Sequence, residues 1–162
     1  PACIAAALSQ HRNLRVFTNS LNVAAALSAF SEIELAIAGG PLRRRDRDVI
    51  GAAAVAFFRR YKVDFAIFGV GGVDEDGGLL DFDEGEVEAR QAMVEGSRTS
   101  ILAADHTKFG RSVPVRGGAI ADIDHLFTDK SPPAAFLSAI HRGKVTLHDQ
   151  PNDGSALNDD SE

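Results

Sequence analysis

Short apolar runs alternate with helix-type patterns along almost the whole chain, and this alternation limits the possible folds more than any other feature. Strands are predicted at residues 14–18, 33–38, 64–68, 99–104, 124–128 and 144–147. Segments with apolar residues at helical spacing lie between them, at 21–30, 49–60, 84–95 and 133–142. Strands and helices that alternate in this way predict an α/β fold, with a mainly parallel sheet covered by helices on both faces.

The charge of the chain is concentrated at one end. The formal net charge is −6, and residues 149–162 carry five acidic and no basic side chains. The remaining body, residues 1–148, is close to neutral, which is not the charge pattern of a protein that binds duplex DNA through many phosphates. We therefore predict one folded domain over 1–148 and a disordered acidic tail over 149–162.

Several classes of protein are disfavoured by composition. The single cysteine, Cys3, cannot form an internal disulfide and fits the reducing cytoplasm. No apolar run approaches the roughly 20 residues of a membrane helix. The histidines show no metal-ligand spacing, so neither a metal nor another cofactor is expected. The first residues are typical of a helix whose preceding strand is absent, so we expect the chain to begin inside its domain.

The loops that follow the predicted strands are rich in glycine and small polar residues. In an open α/β sheet, ligands bind beyond the carboxyl ends of the strands. Amides of glycine loops and helix starts can bind an anion, a lysine can neutralise it, and carboxylates or amides can bind hydroxyl groups. The candidate ligand-binding residues are Thr18, Asn19, Ser20, Gly39, Gly40, Gly71, Gly72, Asp81, Asp83 and Lys108.

Each of these loops also has a purely structural interpretation. Asn19 and Ser20 are more often a helix cap, and Gly39–Gly40 is more often a plain turn. Lys108 is equally well a solvated loop residue. The basic cluster at residues 43–47 could bind an anion, but its interleaved acid favours a solvated surface loop. The run Gly69–Gly72 does not fit a dinucleotide motif, because the third glycine would fall at Asp74.

An ordered set of short motifs resembles the C-terminal sensor domain of the DeoR family of bacterial repressors. The motifs are Thr18–Asn22, Gly39–Gly40, Phe68–Gly72, Asp76–Leu79, Ala92–Met93, Ala104–Gly110, Asp122–Asp124 and Thr128–Asp129. The resemblance covers roughly residues 5–142. It implies the fold shared by ribose-5-phosphate isomerase, glucosamine-6-phosphate deaminase and the CoA-transferases.

The resemblance also implies a function and partners. The ligand would be a phosphorylated intermediate of sugar metabolism, and the repressor would associate as a dimer or tetramer. DNA would be bound only through an N-terminal winged helix-turn-helix, which we expect to be absent from this chain. The first strand of the family's sheet and its Asp-Gly-Thr-Thr-type loop are also expected to be missing.

An enzyme of the same fold is the main alternative. The deaminases resemble this chain around Asp76–Gly78, but Gly78 stands where they carry a catalytic histidine, and the lysine-and-glycine loop of the isomerases is not found. A proton-transfer enzyme needs a positioned base. We therefore expect a sensor without catalytic activity. A pure oligomerisation module is a third reading, which leaves the polar loops unexplained.

Overall fold

The computed structural model of the protein describes residues 7, 8 and 10–149. The predicted opening helix and all of the predicted acidic tail except Asp149 lie outside the residues that are described. The strands are β1 (Leu14–Thr18), β2 (Ile33–Ile37), β3 (Val63–Phe68), β4 (Gly72–Val73), β5 (Gly78–Asp81), β6 (Ser97–Ala103), β7 (Val115–Ala119), β8 (His125–Thr128) and β9 (Thr146–Asp149). The helices are α1 (Leu21–Leu27), α2 (Ala52–Phe58), α3 (Glu84–Glu95) and α4 (Ala134–Arg142).

The strands form a mainly parallel arrangement. Strands β3, β6, β8 and β9 form a four-stranded parallel sheet in that order, and β1 pairs in parallel with β2. Strands β4, β5 and β7 form a small antiparallel sheet. The predicted α/β class with a mainly parallel sheet is confirmed.

Three short strands were not expected from the sequence. The segment from Gly69 to about Asp83 is predicted as a loop, but it contains β4 and β5. Strand β7 falls in a segment for which no element is predicted. The helix predicted from residue 49 begins later, after Gly51, and Asp48, which as a possible helix cap precedes the predicted start, binds Arg43. Glycine-rich strands of this kind carry little local β signal, and pairing with distant residues determines them.

The helices pack on the sheets through two main apolar cores. Helices α3 and α4 cover one face of the four-stranded sheet, where Leu102, Leu126 and Ile140 are almost completely buried. Helix α2 packs on α3 and on the Phe17 face of the β1–β2 pair. Helix α1 covers the other face of that pair, around Leu27. Within the described part of the chain, helices thus lie on both faces of β1–β2.

The second face of the four-stranded sheet is open to solvent in the described part of the chain. Pairing in register places Phe65, Ile67 and Phe127 on this face. Phe65 is 62% exposed and Phe127 is 45% exposed. None of the helices described is long and apolar enough to cross a membrane. The candidate loops follow the carboxyl ends of β1 and β2 in one sheet and of β3 and β6 in the other.

Candidate functional site

The loops after β1 and β2 are tied together by hydrogen bonds. The side-chain amide of Asn19 donates to the carbonyl of Val49 over 2.8 Å, and the Val49 amide donates to the Asn19 carbonyl over 2.9 Å. Thr18 is buried, and its hydroxyl accepts from the Ser20 amide. Ser20 caps α1 by accepting from the Val23 amide. The predicted cap role is thus filled by Ser20, whereas Asn19 binds the loop after β2. Oδ1 of Asn19 makes no hydrogen bond within the described residues.

The glycine turn after β2 lies close to α2. Gly40 has a φ of +143°, and a Cβ atom there would lie 2.9 Å from Cβ of Ala53. Gly39 is exposed, and a Cβ atom on it would meet nothing within 4 Å. Only Gly40 is therefore required by its backbone conformation and its close approach to α2.

Arg43 is not the solvated residue that the sequence favoured for this basic cluster. Its guanidinium binds both carboxylate oxygens of Asp48, at 3.0 and 2.9 Å, and also binds Glu86. The hydrogen bond to Asp48, together with Glu86, raises the pKa of Arg43 above its usual range, although partial burial opposes the shift. This network joins the loop after β2 to the first turn of α3.

The carboxylate of Asp81 lies behind the loop between β3 and β4. Its Oδ1 atom accepts from the amide of Gly71 over 2.9 Å. Its Oδ2 atom binds Nε and Nη2 of Arg90, at 3.2 and 2.8 Å. Both side chains of this pair are 8% exposed. Asp81 thus fixes the direction of the Gly71 amide, and little of its hydrogen-bonding capacity is left for a ligand.

Asp83 begins α3 at the rim of the same region. It is exposed, and its Oδ1 atom accepts from the Gly85 amide over 2.8 Å, which caps the helix. Glu86 accepts from the Phe82 amide, one residue before the cap. A second carboxylate oxygen of Asp83 has no hydrogen-bond partner in the described region.

The loop after β6 carries Lys108 and packs against the antiparallel sheet. Asp105 accepts from the Thr107 amide, and the Gly110 amide donates to the carbonyl of Val73 over 2.8 Å. Gly72 faces this loop so closely that a Cβ atom on it would lie 2.2 Å from the carbonyl oxygen of Arg111. Lys108 is half-buried, and its ammonium forms no ion pair with the residues that the structure describes. The loop therefore carries a lysine without an ion-pair partner in the described residues, and the backbone of the same loop packs on β4 at Gly72 and Val73.

Asp129 fixes the first residue of this loop. Its two carboxylate oxygens bind the His106 amide at 2.6 Å and the His106 ring Nδ1 at 2.7 Å. The hydrogen bond to His106 lowers the pKa of Asp129. The pKa of Asp105 is also lowered, mainly by the Thr107 hydroxyl and to a lesser degree by the charge of Lys108. His106 is thus engaged by Asp129.

Contacts between neighbouring loops connect all four loops into one surface, the strand-end crevice. Asn19 joins the loop after β1 to the loop after β2, and Arg43 joins the loop after β2 to α3. Gly72, at the end of the loop between β3 and β4, contacts the loop after β6. The ring of Phe82 adds a link that was not predicted from the sequence, since Arg45 of the loop after β2 and Arg111 of the loop after β6 both lie over it. No local sequence signal distinguishes these residues, because the contacts join positions far apart in the chain.

A second depression lies elsewhere on the molecule. It has a volume of about 530 Å³ and is lined by Arg60, Tyr61 and Lys62 from the segment before β3, together with residues at the end of α3. It lies at the amino end of β3, at the opposite edge of the sheet from the strand-end crevice. No group of three or more histidine, cysteine or acidic side chains in the described residues could hold a metal ion.

The fold defines an α/β domain with a mainly parallel sheet. The family model described as the DeoR C terminal sensor domain matches residues 1–130. The chain therefore belongs to the family of DeoR C-terminal sensor domains, and the resemblance found in the sequence is confirmed.

Three relatives of this chain are named as repressors. It is 42% identical over 147 residues to the glycerol-3-phosphate regulon repressor of Escherichia coli K12, covering 91% of this chain and 58% of that protein. It is 36% identical over 144 residues to the HTH-type transcriptional repressor CsqR of the same organism, covering 89% and 55%. It is 33% identical over 132 residues to the HTH-type transcriptional repressor GlcR of Bacillus subtilis 168, covering 82% and 51%.

These comparisons decide between a sensor and an enzyme. The chain spans between about half and three-fifths of the length of these repressors. The matched family is a sensor domain and the relatives are repressors, so the chain is a sensor domain and not an enzyme. The alternative of an isomerase or deaminase is therefore set aside.

Proposed function

We propose that this protein is the effector-sensing domain of a DeoR-type transcriptional repressor, and that its effector is a phosphorylated intermediate of sugar metabolism. The observation that carries the proposal is the position of Lys108. Its ammonium has no ion-pair partner in the described residues, and its loop packs on the Gly71–Gly72 backbone. A lysine without an ion-pair partner, in a loop that directly follows a strand of a parallel sheet, is suited to bind a phosphate group.

The remaining predicted residues divide into two groups in this proposal. Oδ1 of Asn19 and the free oxygen of Asp83 are acceptors for the hydroxyl groups of a sugar. The residues Thr18, Ser20, Gly39, Gly40, Gly71, Gly72 and Asp81 shape the loops, and the amides of Ser20 and Gly71 are themselves bound by Thr18 and Asp81. The name of one relative, a glycerol-3-phosphate regulon repressor, supports a small phosphate ester as the effector class.

The proposal assigns DNA binding to another part of the repressor. The near-neutral body, residues 1–148, lacks the excess of cations that duplex DNA requires. An N-terminal winged helix-turn-helix would contact the operator, and effector binding in the strand-end crevice would control it. Self-association into a dimer or tetramer belongs to the same proposal. Arg43 and Asp81 both contact α3, so a movement of their loops on ligand binding would be transmitted to that helix.

Calorimetric titration of the 162-residue chain tests the effector class. Matched pairs of ligands are used: glycerol 3-phosphate with glycerol, and glucose 6-phosphate with glucose. We expect at least one phosphate ester to bind at least about tenfold more tightly than its unphosphorylated partner, because a charge-assisted hydrogen bond contributes about 1.5–3 kcal/mol. Equal affinity within every pair, or binding of neither member, would contradict the proposal.

A further inference from the structure

Two arginines from different loops converge on one aromatic ring at the rim of the strand-end crevice. The guanidinium carbon of Arg45 lies 5.4 Å from the centroid of the Phe82 ring, and that of Arg111 lies 5.3 Å from it. Phe82 is 41% exposed, although the preceding residue, Asp81, is buried. We call these three residues the Phe82 arginine cluster. Neither Phe82 nor Arg111 was among the ligand-binding residues predicted from the sequence.

The backbone around the cluster is held in place from two sides. The Phe82 amide donates to Oε2 of Glu86 over 3.1 Å, and Glu86 is itself bound by Arg43. The carbonyl of Arg111 packs directly on Gly72 at a distance that leaves no room for a Cβ atom. Arg45 lies in a turn that the Arg47 amide closes by donating to the Arg43 carbonyl over 2.9 Å. The backbone of all three residues is therefore held by contacts that do not involve a ligand.

The charges in the cluster are not compensated by the protein. Neither Arg45 nor Arg111 forms an ion pair within the described residues, whereas nearby Arg43 and Arg90 both do. The face of an exposed aromatic ring attracts a cation only weakly. Both arginines are exposed and lie near the same ring, so their N–H donors remain available to an anion at this rim.

We propose that the Phe82 arginine cluster binds the phosphate group of the effector. This inference rests on the proposed function, since it assigns the anion-binding side chains of the same crevice. A guanidinium presents a planar pair of N–H donors that matches two phosphate oxygens, and a dianion calls for more than one cation. Lys108 lies in the same loop as Arg111 and provides the third positive charge.

The location of the cluster also gives it a role in closing the crevice. Arg45 belongs to the loop after β2, Arg111 to the loop after β6, and Phe82 to the start of α3. A phosphate bound by both arginines joins these three segments. The phosphate end of the ligand, rather than its hydroxyl groups, thereby couples the loops to one another.

Three variants test the assignment, with glycerol 3-phosphate and glucose 6-phosphate as the probes. Arg45→Gln and Arg111→Gln each remove one cation, and Phe82→Leu removes the ring. Affinity is measured by calorimetry, and the arginine Nε–Hε signals of the parent are followed by NMR during the titration. We expect each arginine variant to bind the better probe about tenfold more weakly or worse, as expected for one charge-assisted hydrogen bond. The Nε–Hε signals of Arg45 and Arg111 should shift.

Two control variants are matched to the cluster. Arg44→Gln removes an exposed charge next to Arg45. Arg60→Gln removes an arginine that lies 5.7 Å from the Phe57 ring and lines the depression at the other edge of the sheet. Both controls should bind the probe within about twofold of the parent, since surface charges away from a site contribute little. Equal melting temperatures for all variants would show that the fold is kept.

The outcomes separate this inference from the proposed function. Binding by the parent with unchanged affinity in Arg45→Gln and Arg111→Gln would overturn the cluster and leave the proposed function standing. A loss of binding in Arg60→Gln alone would place the anion at the other depression and overturn the cluster as well. A parent that binds neither probe would overturn both, because the cluster has no role without a phosphorylated effector.

Discussion

Asp81 and Arg90 form a buried ion pair behind the strand-end crevice, with Oδ2 of Asp81 2.8 Å from Nη2 of Arg90. The other oxygen of Asp81 accepts the amide of Gly71, so one carboxylate links α3 to the loop between β3 and β4. The pair therefore connects the helix that follows the crevice with backbone that lines it. Both charges are shielded from water, so the removal of one leaves the other without compensation.

Breaking this pair should strongly destabilise the domain. We expect Asp81→Asn and Arg90→Leu each to lower the free energy of unfolding by about 3–5 kcal/mol, since a buried charge is left unpaired. The double variant should lose much less than the sum of the two single changes. Urea denaturation measures the free energy of unfolding of the two single variants and the double variant. The exposed pair Arg15–Glu34 is the control, and its single variants should cost less than about 1 kcal/mol. Similar losses at both pairs would contradict the argument.

Gly72 and Gly39 make opposite predictions for the same substitution. Gly72→Ala would place a Cβ atom 2.2 Å from the Arg111 carbonyl, and this backbone atom can move only with its loop. We expect a loss of about 1–3 kcal/mol in stability, the usual cost of overpacking, and weaker binding of glycerol 3-phosphate. Gly39→Ala meets nothing within 4 Å and should stay within about 0.5 kcal/mol of the parent. Thermal unfolding measures the stability of both variants. Equal stability would show that the loop after β6 can move away from Gly72 at little cost, which would contradict the prediction.

The link between Asp124 and Ser100 should make stability depend on pH. The amide and hydroxyl of Ser100 both donate to Oδ2 of Asp124 and lower the pKa of this carboxyl below its ordinary value of 3.8. Its stabilising effect is therefore complete above that value and is lost as the pH falls through the lowered pKa. We expect Asp124→Asn to cost about 1 kcal/mol at pH 7, and the difference from the parent to shrink below about pH 4.

Urea titrations at several pH values measure this difference. Ser100→Ala is the matched variant, because it removes the hydroxyl donor and keeps the amide. In the Ser100→Ala background, Asp124→Asn should cost less at pH 7 than it does in the parent. A difference between parent and Asp124→Asn that stays constant from pH 7 to pH 3 would rule out the assigned hydrogen bonds as its source.

The parallel strands and the four helices could be predicted because each carries a local signal. Apolar runs mark β3 and β6, and the helical spacing of Ala54, Phe57 and Phe58 marks α2. Strands β4, β5 and β7 carry no such signal, since glycine and short length weaken the pattern. Their pairing depends on partners far along the chain, such as Leu80 with Arg116. The residues near each of these strands in the sequence do not indicate which distant strand it pairs with.

The candidate crevice was predictable as a region and not as a set of contacts. Strand ends in a parallel sheet meet at one edge, so the loops could be identified from the order of elements alone. The different contacts of Arg43 and Arg45 could not be predicted from the sequence. Arg43 turns inward to Asp48 and Glu86, whereas Arg45 extends over Phe82. Two residues apart in one basic cluster, they differ only through tertiary contacts.

Lys108 provides the most direct test of the crevice as an anion site. We expect Lys108→Ala to weaken binding of the best phosphate ester by about 1.5–3 kcal/mol, the contribution of one hydrogen bond to a charged group. Stability should change by less than about 0.5 kcal/mol, because the ammonium has no ion-pair partner in the described residues. Lys130→Ala, a change at an exposed lysine, is the control and should bind like the parent. Calorimetric titration measures the affinities and urea denaturation the stabilities. If Lys108→Ala binds the ester as tightly as Lys130→Ala does, the phosphate does not lie beside the loop after β6.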